Sequence, residues 1–268
     1  MTKDSVDIDG GLVRIEVKQA VAIVRLNRPE RKNALNASLV SGLCQAARYL
    51  RDRDDVKAVI LTGGDSVFSA GGDLGMFRAL QDAPTPVAAR RMAEEGNRMC
   101  AEWSSLPQPT IAAIEGPAIG GGLSIALCCD WRVMAEGAWV HVPEVRLGLN
   151  FGWNTLPRMT ALVGPARAKT IALLARRHQA AECVAWGLAD TLAEPGMALA
   201  SALDMAQEVC AAPILAARLI KQSITRQSES LMMATSHRDP DDLVLALQDE
   251  EGSAAREEII NSLKEKKT

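Results

Sequence analysis

The sequence has 268 residues, 48% of them hydrophobic, so it is long enough to bury the core of one large α/β domain. Its formal net charge of -3 comes from interspersed acidic and basic residues, which excludes a global field that would recruit nucleic acid or an anionic membrane. No apolar run reaches the roughly 18 residues of a membrane span, and the N-terminus lacks the apolar segment of a secretory signal. We therefore expect a cytoplasmic protein without nucleic-acid or membrane partners.

The potential metal ligands are dispersed. The 6 cysteines lack the paired spacing of a zinc site, which favours buried free thiols. The three histidines, His141, His178 and His237, are too far apart in sequence to form a local metal motif. We expect no metal site.

The first half of the chain alternates strand and helix patterns. Two apolar segments around Lys18 and Gln19 predict an N-terminal hairpin, and a helix pattern follows Asn36, which is a plausible N-cap. The predicted elements are strands over 12–17, 21–26, 58–62 and 110–114, helices over 37–50, 86–105 and 123–128, and further short strands over 131–134, 139–142 and 189–192. This rhythm is typical of a largely parallel sheet wound in repeated ββα turns.

After about residue 196 the pattern changes to alanine-rich helices, over 198–210, 214–225 and from 241 into the charged tail. We therefore divide the chain into an α/β core, residues 1–196, and a helical C-terminal segment, residues 197–268. The segment is expected to lie across the core or against a neighbouring subunit.

Two glycine-rich loops follow predicted strands. The first runs over residues 68–74 (FSAGGDL), and the second, over 115–122 (EGPAIGGG), opens into an apolar helix. Bare backbone N–H groups at a helix start can stabilise an anion, although each loop alone is also compatible with an ordinary turn. Neither loop matches a dinucleotide-binding or phosphate-loop pattern.

The ordered set of motifs resembles the crotonase superfamily, the enoyl-CoA hydratases and isomerases, over most of the chain. The motifs are residues 26–36 (LNRPERKNALN), 68–74, 109–112, 116–122, 142–144 and Leu147-Gly148. The resemblance implies an α/β fold, a crotonase-like spiral of repeated ββα units with a helical C-terminal segment that serves trimerisation or covers the active site. It also implies an acyl-CoA or enoyl-CoA substrate, coenzyme A entering only as part of that thioester, no separate cofactor, and a homotrimer or a dimer of trimers.

The resemblance assigns roles to residues in both loops. The N–H groups of Gly72 and Gly121 match the oxyanion hole that binds the thioester oxygen, where fixed donors stabilise charge as it develops. The carbonyls of Ala34 and Ala70 match those that hold the adenine amino group. Arg31 and Lys32 are plausible partners for a CoA phosphate, or simply a solvated cationic surface.

Hydratases of the family hold one water between two glutamates, and this chain retains one of them. The first position is Ser124 here, and the second is Glu144. A serine hydroxyl is a poor general base, so Ser124 can at most position a water, and Glu144 must act alone. A lone carboxyl in an apolar pocket suits proton transfer between two carbons, so the pattern favours isomerisation of 3-enoyl-CoA over efficient hydration. A salt-bridged surface carboxylate is the less favoured alternative for Glu144.

Further positions have two readings. Asp73 could be catalytic, but a helix-capping role is preferred. Phe151 and Trp153 stand where many relatives carry a Pro-Gly and small residues, and either narrow the acyl pocket or pack in the core. Phe77 and Trp103 could line the acyl tunnel.

Other functions of the same fold remain open at this stage. They are a decarboxylase, a dehalogenase or a thioester hydrolase with Ser124, Asn150 or Trp153 in other roles, and a weakly catalytic acyl-CoA binding protein.

Overall fold

The structure is a computed structural model that describes residues 4–230, 232 and 238–265. His237, which we predicted to belong to no metal motif, and the end of the charged tail lie outside these residues. The strands are β1 Asp4–Ile8, β2 Val13–Lys18, β3 Val21–Leu26, β4 Ala58–Thr62, β5 Thr110–Ile114, β6 Ala118–Ile119, β7 Trp131–Ala135, β8 Trp139–His141, β9 Arg177–Gln179 and β10 Thr191–Ala193. The helices are α1 Ala37–Arg51, α2 Leu74–Gln81, α3 Pro86–Ser104, α4 Gly121–Ala126, α5 Thr155–Leu174, α6 Ala180–Trp186, α7 Ala198–Ala211, α8 Ile214–Glu229, α9 Asp239–Gln248 and α10 Glu250–Glu265.

Two sheets form the centre of the fold. The larger has the order β1-β2-β3-β4-β5-β7-β10, antiparallel from β1 to β3 and parallel from β3 onward. The smaller has the order β6-β8-β9. In each of two successive strand pairs, β5 with β6 and β7 with β8, the first strand lies in the larger sheet and the second in the smaller one. The chain then returns to the larger sheet. This arrangement confirms the predicted spiral of repeated ββα units.

The central strands explain where the two glycine-rich loops meet. β4 and β5 are fully buried, as expected for parallel strands covered on both faces. They are parallel neighbours, paired from Val59 with Thr110 to Thr62 with Ala113. Their carboxyl ends therefore lie side by side, and the loops that leave them start at the same edge of the sheet.

Helix α1 covers one face of the larger sheet through an apolar stripe that includes Leu39, Leu43 and Leu50, all fully buried. The predicted N-cap is confirmed, because the Asn36 Oδ1 accepts a hydrogen bond from the Leu39 N–H at 2.9 Å. Such a cap satisfies one of the N–H groups that a helix start leaves unpaired.

Helix α7 covers the opposite face. Its Ala198, Ala202 and Ala206 are fully buried against a cluster that includes Ile60 and Ile111 of the sheet. The small side chains let the helix approach the sheet closely. The first helix after residue 197 thus packs directly on the core, and the division of the chain at residue 196 stays a prediction.

Five elements were missed by the sequence patterns. They are β1, β6, β9, α5 and α6. Helix α5 contains Gly164 with φ 76° and Pro165, which interrupt the helical periodicity that would have marked it. The strand predicted over 189–192 lies at Thr191–Ala193, a shift of two residues at its start.

Two further predictions concern the cysteines and membrane-spanning helices. The cysteines are free thiols, five of them buried and Cys210 partly buried, which confirms that interpretation. Within residues 4–230, 232 and 238–265, no single helix has the length and apolar character to cross a bilayer; the sharply bent pair α7 and α8 meets the criteria together, by length and composition only.

Candidate active site

The two glycine-rich loops are joined by backbone hydrogen bonds. The N–H groups of Phe68 and Ser69 donate to the Pro117 carbonyl, each at 3.1 Å, and the Ile119 N–H donates to the Ser69 carbonyl at 3.0 Å. A β-carbon built on Gly71, which has φ 88°, would lie 2.6 Å from the Ile119 oxygen and 3.5 Å from the Gly121 nitrogen. Only glycine allows this approach, so Gly71 brings the two loops into contact.

The N–H groups of Gly72 and Gly121 are free to receive a ligand. Gly121 is the first residue of α4, whose N–H has no partner within the helix. Among the described residues, neither N–H donates a hydrogen bond, whereas the flanking Gly120 and Asp73 N–H groups are bonded to His141 and Leu35. Both glycines line one pocket. They are therefore placed where two donors could meet one ligand oxygen.

Glu144 lies directly beside this pair of loops. It begins a 3₁₀ turn after β8, and a β-carbon on Gly120 would overlap the Glu144 Oε1. Gly120 has φ 47°, so both its conformation and its lack of a side chain keep this position open for the carboxyl group. The Glu144 carboxyl therefore contacts Gly120, the residue that directly precedes the Gly121 N–H.

The Glu144 carboxyl is held in an apolar environment. Its Oε2 is buried and has no hydrogen-bond partner among the described residues. Burial raises the pKa of Glu144 to about 8, against a smaller lowering by its own backbone N–H. A carboxyl with a pKa near neutrality can both take and return a proton. The salt-bridged surface alternative for Glu144 is wrong.

Ser124 faces the same pocket from the second turn of α4 and is 2% exposed. Its Oγ is 3.4 Å from the Gly120 carbonyl oxygen, a long hydrogen bond back to the preceding turn. The hydroxyl therefore stands at the pocket wall without an ionisable neighbour on its own helix.

The space between the lining residues is about 650 Å³ when the open solvent at its mouth is included. The predicted catalytic positions Gly72, Gly121, Ser124 and Glu144 all line it. Its apolar wall comes from α2, α3, the segment after Glu144 and α9. The apolar residues are Met76, Phe77, Leu80, Met92, Ala93, Leu149, Phe151, Trp153 and Leu243.

The aromatic predictions have different outcomes. Phe77 lines the pocket, as predicted, whereas Trp103 is fully buried in the core and donates its Nε1–H to the Leu43 carbonyl at 3.0 Å. Phe151 and Trp153 both line the pocket and pack against the core, so each has both of the positions predicted as alternatives.

The Trp153 ring lies between α3 and α4. A β-carbon on Gly96 of α3 would overlap the pyrrole side of the indole, and a β-carbon on Gly121 of α4 would overlap its benzene side. Trp153 has φ 60°, a left-handed conformation that is costly for a bulky residue. The surrounding packing therefore fixes this ring as one wall of the pocket.

Three further polar residues line the pocket; Asn97 and Asp239 were missed by sequence reasoning, and Asn150 was considered only for the alternative reactions. Asn97 of α3 is 8% exposed, Asn150 follows the Glu144 turn, and Asp239 begins α9. The Asp239 Oδ2 accepts from the Asn154 N–H at 2.8 Å, and its carbonyl accepts from Asn150 Nδ2 at 3.4 Å. Burial raises the pKa of Asp239, against the lowering effect of the Asn154 N–H. Asp239 lies too far along the chain for any local motif to connect it with the loops.

The loop predicted to contact CoA is fastened to the first glycine-rich loop. The Asn33 Nδ2 donates to the carbonyls of Gly63 and Phe68, at 2.7 and 3.2 Å. Arg28 pairs with Asp73 at 2.6 Å. Asp73 also accepts from the Gly75 N–H at 2.8 Å, which confirms the capping role. Burial alone would raise the pKa of Asp73, but the hydrogen bonds from Arg28 and Gly75 lower it below its ordinary value.

The four residues expected to hold CoA are grouped at this loop. Arg31 and Lys32 are exposed, next to each other at the surface. The Lys32 carbonyl accepts from the Ala70 N–H at 2.9 Å, which brings Ala70 next to the loop. The Ala34 carbonyl accepts from Arg28 Nη1 at 2.8 Å, so an adenine amino group would have to share that oxygen.

Comparisons with known proteins identify the family. The family model for enoyl-CoA hydratase/isomerase matches residues 16–267. The chain is 33% identical to a short-chain-enoyl-CoA hydratase of Clostridium acetobutylicum over 215 residues, which is 80% of this chain and 81% of the relative. It is 33% identical to a probable enoyl-CoA hydratase, echA8, of Mycobacterium bovis over 81% of this chain and 82% of that protein.

The solved structures give the same result. The crystal structure of an enoyl-CoA hydratase/isomerase from Mycobacterium paratuberculosis superposes with a TM-score of 0.84 at 25% identity, covering 92% of this chain and 97% of that one. The chain belongs to the enoyl-CoA hydratase/isomerase family and has its crotonase fold.

Proposed function

We propose that this protein is a Δ3,Δ2-enoyl-CoA isomerase in which Glu144 carries the proton and Ser124 replaces the second glutamate of a hydratase. The observation that supports it is the position of the Glu144 carboxyl, buried against Gly120 and beside the free Gly121 N–H, with a serine at the other acid/base position.

The proposed reaction needs only one proton carrier. The thioester oxygen binds to the N–H groups of Gly72 and Gly121, which stabilise the negative charge that develops on it. Glu144 removes a proton from C2, the double bond moves into conjugation, and the same carboxyl returns the proton to C4. No water takes part, so Ser124 does not need to ionise.

CoA binding at the 28–35 loop, the part of the 26–36 motif that contains Arg31, Lys32 and Ala34, follows from the same proposal. The exposed Arg31 and Lys32 supply charge for a CoA phosphate. The carbonyls of Ala34 and Ala70 border the adenine position. Coenzyme A enters as part of the substrate, and the proposed reaction needs no further cofactor.

Hydration of 2-enoyl-CoA is the second candidate. Asp239 places another carboxyl in the pocket, and the relatives at 33% identity are named hydratases. Asp239 is anchored to the segment 150–154 by two hydrogen bonds, whereas Glu144 lies at the glycine-rich loops. We therefore place isomerisation first.

A paired assay tests this order. Purified protein is given a 3-enoyl-CoA and crotonyl-CoA in parallel, and the absorbance of the conjugated thioester is followed. Isomerisation increases this absorbance and hydration decreases it. We expect the first rate to exceed the second; rapid hydration with slow isomerisation would make hydration the function, and acyl-CoA binding without any turnover would make the protein a binding protein.

We also propose that the chain assembles as a homotrimer or a dimer of trimers through its helical C-terminal segment. Helix α8 exposes an apolar stripe of Leu215, Leu219, Ile220 and Ile224, each more than half exposed. Contiguous exposed apolar surface of this kind marks an interaction site. Light scattering after size exclusion would test this, with a mass three or six times that of the chain expected and a monomer contradicting it.

A further inference from the structure

The substrate pocket has a polar corner that the proposed proton transfer does not use. Asn97, Asn150 and Asp239 line it, on the side of the segment 150–154. No lysine, arginine or histidine is among the described residues that line the pocket. A hydrocarbon chain would leave these polar groups without partners, which is unfavourable in a dehydrated site.

Asn97 is the group that points to a ligand. Its side chain is more than nine-tenths buried on α3, yet it makes no hydrogen bond with any described residue. Its amide atoms are also not among the polar atoms sealed from solvent. Since Asn97 lines the pocket, the amide's remaining access is through the pocket itself.

Asp239 faces the same space from the neighbouring helix. Helix α9 packs against α3, with Arg90 and Asp241 paired at 2.7 Å. Leu243, one turn after Asp239, also lines the pocket, so this face of α9 is turned towards the ligand. The bond from Asn154 uses the Asp239 Oδ2, and Oδ1 remains available as an acceptor.

Asn150 is held by Asp239 and is not open to a ligand. Its Nδ2 is held by the Asp239 carbonyl, and its Oδ1 is buried without a partner among the residues that the structure describes. The Asp239 Oδ1, which accepts, and the Asn97 amide, which can donate, together match a hydroxyl group, which donates one hydrogen bond and accepts others. A carboxylate is disfavoured, because Asp239 is acidic and no described residue that lines the pocket carries a positive charge.

We propose that the acyl group of the natural substrate carries a hydroxyl substituent beyond the reacting carbons, bound by Asp239 and Asn97. The inference rests on the proposed acyl-CoA substrate of this pocket. A site built to hydrogen-bond a hydroxyl discriminates strongly against the analogue that lacks it, because its buried polar groups are then left unpaired.

Binding without chemistry is the first test. Isothermal titration of the full chain with hexanoyl-CoA and 6-hydroxyhexanoyl-CoA should show at least about tenfold tighter binding of the hydroxylated ester. Asp239→Asn and Asn97→Ala should each remove most of this preference. Asp241→Asn is the matched control, since Asp241 lies on the same helix but pairs with Arg90 outside the pocket, and it should keep the preference. Equal binding of both esters by the wild type would overturn the proposal.

Turnover separates this inference from the proposed function. Hex-3-enoyl-CoA and 6-hydroxyhex-3-enoyl-CoA are compared by kcat/KM in the same variants. The measured quantity is the ratio of the two kcat/KM values; a ratio that favours the hydroxylated ester in the wild type and in Asp241→Asn, and that Asp239→Asn abolishes, supports the polar corner. If Asp239→Asn lowers kcat equally for both esters, Asp239 takes part in proton transfer and the inference is wrong. A hydroxyl preference in binding with no turnover of any enoyl-CoA would refute the isomerase function and leave the hydroxyl site standing.

Discussion

The two sides of the pocket are built differently. The side at the glycine-rich loops consists of backbone N–H groups and one carboxyl, held by close backbone contacts between Gly71, Gly120 and their neighbours. The side at the segment 150–154 consists of side chains from three separate elements, among them Asn97 and Asp239. Changes on the first side should therefore affect reaction rate, and changes on the second should affect which acyl group is accepted.

The largest effect expected is that of Glu144→Gln. The substitution keeps the shape of the side chain and removes its proton-carrying group, so kcat should fall by roughly 10² to 10⁴. Affinity for the CoA ester should barely change, because the 28–35 loop and the N–H groups of Gly72 and Gly121 are untouched. Steady-state kinetics with a 3-enoyl-CoA, together with calorimetry on a saturated acyl-CoA, measures both. Unchanged turnover would move the chemistry away from Glu144.

The next effect is the pH dependence of the rate. A base with a pKa of about 8 is mostly protonated at neutral pH, so kcat/KM should rise about tenfold per pH unit up to about pH 8 and then level off. The profile is measured with an unsubstituted 3-enoyl-CoA to keep the polar corner out of the result. A profile already flat from pH 6 would show that Glu144 is ionised far below the expected value.

The same burial makes an opposite prediction for stability. The pKa of Glu144 is raised from 4.5 to about 8 on folding, so the stabilisation is present below pH 4.5 and is lost as the pH rises towards 8. The wild type should lose about 1.4 kcal/mol per pH unit relative to Glu144→Gln over this window. Urea unfolding of both proteins at several pH values gives the difference. A difference independent of pH would contradict a buried, desolvated carboxyl.

Ser124→Glu tests whether the side of the pocket at the glycine-rich loops needs only a second carboxyl in order to catalyse hydration. Ser124 already lines the pocket, so a glutamate there would project towards the position of a bound water. Hydration of crotonyl-CoA should rise by about tenfold or more, in line with the gain from a positioned acid or base. Ser124→Gln, which has the same length without the ionisable group, is the control. Absence of any gain would indicate that Trp153 or Phe151 excludes the water.

Gly96→Ala tests the wall formed by Trp153. Its methyl group would overlap the indole ring, and overpacking of this kind costs about 1 to 3 kcal/mol of unfolding free energy. Trp153→Ala in the same chain should remove most of that cost, so a double-mutant cycle in urea should show coupling between the two sites. Additive effects would mean that the ring is not held between α3 and α4.

The smallest effect is expected from Asn36→Ala, outside both sides of the pocket. Loss of the cap to Leu39 should cost about 1 kcal/mol of unfolding free energy and leave kcat unchanged. Asn36→Asp, which retains an accepting oxygen, should recover most of the stability. A clear loss of activity in the alanine variant would instead connect α1 to catalysis.

The two glycine-rich loops of the backbone-built side could be predicted because their signals are local, whereas the roles of Gly72, Gly121 and Glu144 were implied by the family resemblance and stay predictions. Glycines after a strand, a proline before Glu144 and a capping asparagine each act within a few residues, so a linear pattern contains them. The ββα rhythm likewise predicted the sheet. The role of Gly120 in making room for Glu144 needed the structure, since it depends on a contact between two separate loops.

The side-chain-built side could not be predicted in the same way. Asp239 stands in an acidic helix start, a pattern typical of a solvated surface, and Asn97 stands in a polar helix turn. Their shared pocket arises from the packing of α9 on α3, which no periodicity encodes. Trp103 shows the converse error, because its position on α3 suggested the tunnel while its ring points into the core.

The contribution of Asp239 and Leu243 to the pocket has a consequence for biosynthesis. Both residues follow Glu144 at a large distance in the sequence, so they leave the ribosome well after it. Chains are synthesised from the N-terminus, so the glycine-rich loops and Glu144 are translated before this wall of the pocket. Selection of the acyl group in the proposed isomerase therefore depends on residues that are translated well after the proton carrier, and a nascent chain that stops before Asp239 lacks that wall of the pocket.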